Sequence, residues 1–224
     1  MKAKITALVW DSYSKSLHDA ADELGIEVVA FTRMMVFEDP SILRKIEEDM
    51  RESAVVLIHL MGSDLIEPVA SIVRRLPDTV PVLSMGHDPM AYVYTTGPKD
   101  AAIKCQEYLG LNGRANCRGC LLYLMKRFMG RDVEVPPPVE IPWHGIVDPS
   151  GERYGSLEDY LREYREKDAP WIGIVGSRAQ WNNDNSDVEY GLYERFEKRG
   201  YNVIMVYGDG HTDPDDCCGS DTDR

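Results

Sequence analysis

Short apolar runs alternate, along the first part of the chain, with stretches in which apolar residues recur every three or four positions. The short runs are typical of buried strands, and the wider spacing is that of the apolar face of a helix. The four predicted strands are Ile5–Trp10, Ile26–Phe31, Ala54–Leu60 and Pro81–Met85. The predicted helices between them contain Leu17–Leu24, Ser41–Met50 and Ile66–Val73.

This alternation predicts a parallel sheet with helices on both faces, that is, a flavodoxin-like or Rossmann-like α/β domain. Ligands of such sheets bind at the carboxyl ends of the strands. His59 lies at the end of the third predicted strand, and His87 and Asp88 follow the fourth. Imidazole and carboxylate groups at that edge can bind a metal ion or transfer protons, so these three residues are candidates for both roles. The alternative is that they are ordinary polar residues at strand ends.

After the fourth strand, the pattern predicts two helices, Ala101–Leu109 and Ala115–Phe128, separated by Gly110–Gly113. The proline triplet Pro136–Pro138 interrupts this pattern and indicates a boundary. Residues 1–135 are therefore predicted to form one α/β domain with trailing helices.

Residues 136–207 are predicted to hold a linker and the start of a second α/β domain. A helix at Leu157–Arg165 precedes a strand–loop–helix–strand unit. The unit's strands are Trp171–Gly176 and Tyr201–Tyr207, and its helix carries Val188, Leu192 and Phe196 on one side. Two parallel strands and one helix do not bury both faces of a sheet. We therefore expect this unit to pack against the first domain, to associate with another chain or to be the start of a truncated domain.

The loop of this second unit holds the most distinctive side chains of the chain. Arg178 offers a planar fork that matches carboxylates, and Trp181 offers a flat apolar face for a large ring. Asn185 stands just before the predicted helix, whose free N–H groups favour anions. Together they predict a flat ligand edged with carboxylates. The alternative is that Asn185 or Ser186 caps the helix and that Trp181 packs in the core.

The charge, the hydropathy and the motifs of the chain exclude several classes of function. The net charge is −13 and the pI is about 4.8, so the chain lacks the basic surface that nucleic acid requires. It contains no apolar run of 18 residues, hence no predicted membrane span. It also contains neither a dinucleotide-binding glycine motif nor a phosphate loop. The start of the sequence does not resemble a signal peptide.

The cysteines indicate a reduced, cytoplasmic protein. There are five of them, at irregular spacing, which does not suggest a disulfide framework. The pair Cys117 and Cys120 falls inside a predicted helix without a second pair at zinc-finger spacing, which favours packing over metal binding. Residues 208–224 carry six aspartates and no apolar periodicity, and we expect a disordered acidic tail.

Several blocks of sequence resemble one family, the large subunits of cobaltochelatase and magnesium chelatase (the CobN/magnesium-chelatase H family). In the loop described above, the family pattern is matched by Pro170, Gly173, Arg178, Trp181 and Asn185. Further matches are Arg199–Ile204 after the last helix, Tyr108 to Asn116 with Leu121–Leu124, Gly145–Pro149, and His59–Gly62. The resemblance covers roughly residues 4–207.

The resemblance implies ATP-dependent insertion of a divalent metal into a tetrapyrrole, a ligase reaction of cobalamin or related biosynthesis. The large subunit would bind the macrocycle, and an AAA+ ATPase and helper subunits would hydrolyse ATP. No cofactor is expected to bind this chain directly, whereas Co²⁺, favoured over Mg²⁺, and ATP would be used by the whole complex. Arg178 would pair with peripheral carboxylates, Trp181 would stack on the ring, and Asn185 would donate a hydrogen bond or cap the helix.

The chain departs from the family pattern in two respects. Gln180 stands where many relatives have His, and Asp184 stands where many have Gly. The family's large subunit is also several times longer, so we expect an N-terminal fragment without a complete catalytic site. Two other hypotheses stay open: a stand-alone small-molecule-binding or regulatory protein, and a metal-delivery protein that uses the acidic, cysteine-containing tail.

Overall fold

A computed structural model describes residues 4–60 and 66–208 of the chain. The chain divides into two compact units, Met1–Glu140 and Ile141–Arg224. Residues 61–65, which include the end of the His59–Gly62 match, and the acidic tail after Gly208 lie outside the described residues. No helix in the described ranges is long and apolar enough to cross a membrane.

The first unit is built on a parallel sheet of four strands, which confirms the predicted α/β fold class. The strands are β1 (Lys4–Val9), β2 (Glu27–Thr32), β3 (Val55–His59) and β4 (Val82–Met85), in the spatial order β2-β1-β3-β4. Val9 is level with Thr32 on one side and with His59 on the other, and His59 is level with Met85. The carboxyl ends of all four strands therefore form one edge.

Helices cover both faces of this sheet. They are α1 (Ser14–Leu24), α2 (Arg33–Glu38), α3 (Ile42–Glu52), α4 (Ile66–Val73), α5 (Lys99–Leu111) and α6 (Arg114–Phe128). Short 3₁₀ segments follow β1 at Asp11–Tyr13 and β4 at Pro89–Tyr94. Alternate residues of β3 enter different cores: Leu57 packs with α1, α5 and α6, whereas Val56 and Ile58 pack with α3 and α4. This explains why the third strand is apolar almost throughout.

Two details of the helices differ from the sequence-based prediction. The prediction missed α2, which has only six residues and starts where the Thr32 hydroxyl accepts a hydrogen bond from Met35 N. The break between α5 and α6 comes at Asn112 and Gly113, both with positive φ, and not at Gly110, which remains helical.

The proline-containing segment that follows α6 is extended and is held onto the first unit. The Tyr108 hydroxyl donates to the carbonyl of Pro136. The buried Asn116 side chain donates to the Val139 carbonyl and accepts from the Val139 amide, both at 2.8 Å. The segment up to residue 139 is thus a fixed part of the first unit.

The second unit contains a mixed sheet of four strands. These are β5 (Gly145–Val147), β6 (Arg153–Tyr154), β7 (Trp171–Ser177) and β8 (Asn202–Gly208), in the order β6-β5-β8-β7. Its helices are α7 (Leu157–Glu163), α8 (Arg178–Asn182) and α9 (Asp187–Lys198). The strands β7 and β8 are parallel, as predicted, and β5 and β6 add an antiparallel pair on the other side of β8. The prediction missed β5, β6 and α8, which have two to five residues each.

The two faces of this second sheet are covered unequally. On one face, Val203 and Met205 pack with Trp181 and Tyr193 in a closed core. On the other face, Val175 is 80% exposed because β7 is the edge strand and α7 lies toward the opposite edge. Part of this face is therefore open among the described residues.

Candidate functional site

His59 is the most unusual polar residue at the carboxyl edge of the first sheet. It ends the central strand β3, and its side chain is fully buried. The edge of its ring meets Tyr13 at a centroid distance of 5.1 Å. Neither ring nitrogen has a hydrogen-bond partner within the described part of the chain. Buried polar groups are nearly always paired, so this imidazole requires an explanation.

The side chain of Gln106, on α5, approaches the same ring. The amide is close enough to raise the pKa of His59 slightly, but its Oε1 is buried and has no partner at hydrogen-bond distance among the described residues. Burial lowers the pKa of His59 to about 4, and the nearby charge of His87 contributes less. The ring is therefore neutral near pH 7, and each of its nitrogens is available as a donor or an acceptor.

His87 lies beside His59, with 6.5 Å between the ring centroids. It is exposed and follows Gly86, at the end of β4. A Cβ on Gly86 would lie 2.7 Å from the Leu60 carbonyl oxygen, so only glycine lets the ends of β3 and β4 approach this closely. Asp88 accepts a hydrogen bond from Met90 N at 2.8 Å and caps the following 3₁₀ segment. The structure thus brings His59 and His87 together and gives Asp88 a capping contact.

Arg178 occupies a buried position at the end of β7, with 4% of its surface exposed. Its guanidinium donates to the carbonyls of Ile141 at 2.9 Å and Pro142 at 3.0 Å. It also stacks over the Trp143 ring, 4.5 Å from the centroid. These contacts tie the residues that precede β5 to the β7–α8 turn.

Trp181 is buried and packs edge-on against Tyr190, with Tyr207 on another side. Gly176 is in close contact with its indole nitrogen, and a methyl group there would overlap that atom. Asn185 is exposed, and its backbone amide donates to Gln180 O. Carboxylate pairing by Arg178 and ring stacking by Trp181 stay predictions, and both require these side chains to leave their present contacts.

Some buried polar atoms near Trp181 have no partner in the described ranges. They are Nε1 of Trp181, both side-chain polar atoms of Asn182 and Oγ of Ser186. Ser186 occupies the N-cap position of α9, but its side chain makes no capping hydrogen bond. Sequence reasoning did not single out Asn182, because an asparagine in an Asn/Asp-rich turn reads as a turn residue.

A cavity of about 860 Å³ opens at the carboxyl ends of β7 and β8 in the second unit. We call it the sheet-edge cavity. Its lining residues are His144, Gly145, Ile146, Tyr154, Gly155, Ser156, Leu157, Val175, Gly176, Ser177, Val206, Tyr207 and Gly208. Apolar side chains dominate its wall, among them Val175 and Leu157, which are 80% and 53% exposed. Its size and lining are those of a small-molecule site.

The described residues contain no group of three or more His, Cys, Asp or Glu side chains arranged to hold a metal ion. Cys105, Cys117 and Cys120 are fully buried in the first core. Burial raises the pKa of the Cys117 thiol, and a hydrogen bond with Cys105 together with burial raises that of Cys120, so these groups stay protonated. They pack as small apolar residues, in line with the structural alternative given above.

Comparison with known proteins identifies relatives of much greater length. The family described as CobN/Magnesium Chelatase matches residues 106–221. Two uncharacterised proteins of Methanocaldococcus jannaschii are similar. MJ1441 is 30% identical over 92% of this chain and 15% of its own length, and MJ0908 is 34% identical over 48% of the chain and 9% of its own.

A solved structure shares the fold. The catalytic subunit of cobaltochelatase from Mycobacterium tuberculosis superposes with a TM-score of 0.61 at 17% identity, over 96% of this chain and 17% of that subunit. The chain thus corresponds to about one sixth of that protein's length. Because the family match covers more than half of the 224 residues, the chain belongs to the CobN/magnesium chelatase family.

Proposed function

We propose that this chain takes part in the insertion of a divalent metal into a tetrapyrrole, and that its second unit binds the macrocycle in the sheet-edge cavity. The observation that supports this proposal is the sheet-edge cavity. It lies within the stretch that matches the family, and its volume is within the usual range for ligand pockets, roughly 300–1,000 Å³.

The chemistry of the cavity wall suits a large flat ring. Val175, Leu157 and Val206 offer apolar contacts, and the hydroxyl of Ser177 adds a polar group at the rim. None of the lining residues is Lys or Arg, so the peripheral carboxylates of the ring would remain in water. Trp181 supports this wall indirectly, since its indole packs against Gly176, which lines the cavity.

The other parts of the reaction are proposed on the family alone. An AAA+ ATPase and helper subunits would supply ATP hydrolysis, which fits the lack of a phosphate loop in this sequence. The metal is a substrate of the whole complex, and Co²⁺ is proposed over Mg²⁺. Catalysis is proposed to require regions that the long relatives possess and that this chain does not span.

Titration with a metal-free corrinoid and with a free-base porphyrin tests the binding proposal. Three of the four tryptophans, Trp143, Trp171 and Trp181, belong to the second unit, so we expect quenching of tryptophan fluorescence together with a shift of the ring's absorption band. Val175→Glu should weaken binding at least ~10-fold, because it places an unpaired carboxylate against the apolar ring.

Val188→Glu is the matched control. Val188 is 74% exposed on α9 and does not line the cavity, so this variant should bind as the unchanged chain does. Equal weakening by both substitutions would indicate a charge effect of the whole chain and would remove the cavity from the proposal. Absence of binding up to the solubility of both rings would favour a stand-alone regulatory or metal-delivery role.

A further inference from the structure

We propose that His59 and His87 form a binding site for one divalent ion of the late first transition series, such as Co²⁺, Ni²⁺ or Zn²⁺. The site lies in the first unit and does not depend on tetrapyrrole binding by the second. The observation that carries it is a fully buried imidazole, neither nitrogen of which has a hydrogen-bond partner among residues 4–60 and 66–208, at the sheet edge where ligands collect and next to a second imidazole.

A structural role does not account for His59. A histidine retained for packing normally donates one ring N–H to a carbonyl or carboxylate. Here neither Nδ1 nor Nε2 has a partner in the described ranges, and the neighbouring Gln106 Oε1 has none either. A metal ion on one nitrogen would give that lone pair a partner, and Gln106 Oε1 would then accept the N–H of the other nitrogen. That second contact is the usual support of a metal-bound imidazole.

The two rings are close enough to share an ion after a rotation of one of them. With metal–nitrogen distances of about 2.0–2.1 Å and tetrahedral geometry, two imidazoles on one ion have ring centroids about 5 Å apart. The observed centroids are 6.5 Å apart, at an interplanar angle of 61°. His87 is exposed, so its ring can turn toward His59 without disturbing the core, and water can complete the coordination shell from that side.

The surrounding backbone places His87 at this point. Gly86 allows the end of β4 to approach the Leu60 carbonyl, and the Asp88 cap fixes the turn that follows. Imidazole ligands favour borderline ions such as Co²⁺, Ni²⁺ and Zn²⁺ over Mg²⁺, which prefers oxygen. The site would therefore select the same class of ion as a cobalt-inserting enzyme and would exclude Mg²⁺.

Calorimetry and visible absorption with Co²⁺ alone, on the full chain, test this site. Because His211, Cys217 and Cys218 can also bind Co²⁺, the measurement is repeated in a chain in which these three are replaced by Ala or Ser. We expect one Co²⁺ ion per chain in that background, without thiolate charge-transfer bands. His87→Ala should lower the affinity at least ~10-fold.

His18→Ala is the matched control, since His18 is a histidine of α1 outside the cluster and its ring contacts Ser14 O. His59→Gln should also lose the ion, and circular dichroism shows whether it folds. If that variant does not fold, two other measurements test the site. One is the Co²⁺ affinity of His87→Ala, and the other is ¹⁵N NMR of the His59 ring in the unchanged protein during Zn²⁺ titration. Unchanged Co²⁺ affinity in His87→Ala, or a His59 ring that does not respond to Zn²⁺, would overturn the proposal.

Discussion

Replacement of Arg178 by Met tests whether this arginine supports the fold of the second unit. The substitution removes two charge-assisted hydrogen bonds, to the carbonyls of Ile141 and Pro142, but keeps most of the apolar stem. Such bonds contribute about 1.5–3 kcal/mol each. Because Pro142 is exposed and Ile141 is partly exposed, the freed carbonyls regain water, and the lower value applies to each. Loss of the contact with the Trp143 ring adds about 0.5–1 kcal/mol.

We therefore expect Arg178→Met to reduce the free energy of unfolding of the second unit by about 3–4 kcal/mol. Urea unfolding followed by tryptophan fluorescence measures this, since three of the four tryptophans lie in the second unit. With a urea dependence of about 1–3 kcal/mol per molar, the midpoint should fall by at least about 1 M.

Arg162→Met is the matched control for this experiment. Arg162 lies on α7 with a side chain 65% exposed, and it pairs with Glu158 and Asp159 at the surface. Surface pairs of this kind contribute little, so the free energy of unfolding of this variant should stay within about 0.5 kcal/mol of that of the unchanged protein. Coincident midpoints for the two variants would refute the supporting role. If Arg178→Met then abolished corrinoid binding, the sequence-based role of carboxylate partner would be the better one.

Two further predictions follow from local contacts. Gly176→Ala should destabilise the second unit by about 1–3 kcal/mol in thermal denaturation, because the added methyl overlaps the Trp181 indole, whereas Gly173→Ala meets no atom within 4 Å and should cost less. A hydrogen bond from Arg75, with a smaller contribution from Arg51, lowers the pKa of Glu47 from 4.5 to about 2. The stabilisation of the fold by the Glu47 carboxylate is therefore complete above pH 4.5 and disappears as the pH falls toward 2. The difference in free energy of unfolding between the unchanged protein and Glu47→Gln should shrink over that range. Equal destabilisation by both glycine substitutions, or a constant difference for Glu47→Gln between pH 6 and pH 2.5, would contradict the respective argument.

The first sheet could be predicted because its signal is local. Each strand is an apolar run of strand length, and each long helix shows its own apolar period. The elements that escaped prediction, α2, α8, β5 and β6, are too short for their apolar period to repeat twice. Pairing with a distant strand is what makes β5 form, since it lies beside β8, about 60 residues away in the sequence, and β6 then pairs with β5.

The candidate sites were only partly predictable from residue type. The position of His59 at a strand end placed it at the ligand edge, and the register confirms that position. Gln106 could not be predicted, because its place beside His59 depends on how α5 packs across 46 intervening residues. Arg178 and Trp181 were recognised as unusual side chains, but their burial results from contacts with Pro142 and Tyr190 that no local pattern encodes.

Several residues of the family resemblance hold an irregular stretch of backbone in place, a role that their chemistry alone does not suggest. Tyr108 and Asn116 in the first unit hold the backbone at Pro136 and Val139. Arg178 in the second unit holds the carbonyls of the residues that start it. Each of these side chains therefore fixes part of the stretch 136–142, which has no secondary structure of its own. Such a stretch needs side-chain partners for its backbone groups, because strands and helices do not supply them.

This division of roles bears on where ligand chemistry should be sought in the family. Val175 is the most exposed apolar residue of the sheet-edge cavity, and none of the fixed backbone contacts described above depends on its side chain. A scaffold held by such side chains can keep its cavity while the residues that line it change. If the second unit binds a ring as proposed, exchange of Val175 alone should shift the preference between corrinoid and porphyrin in the titration described above.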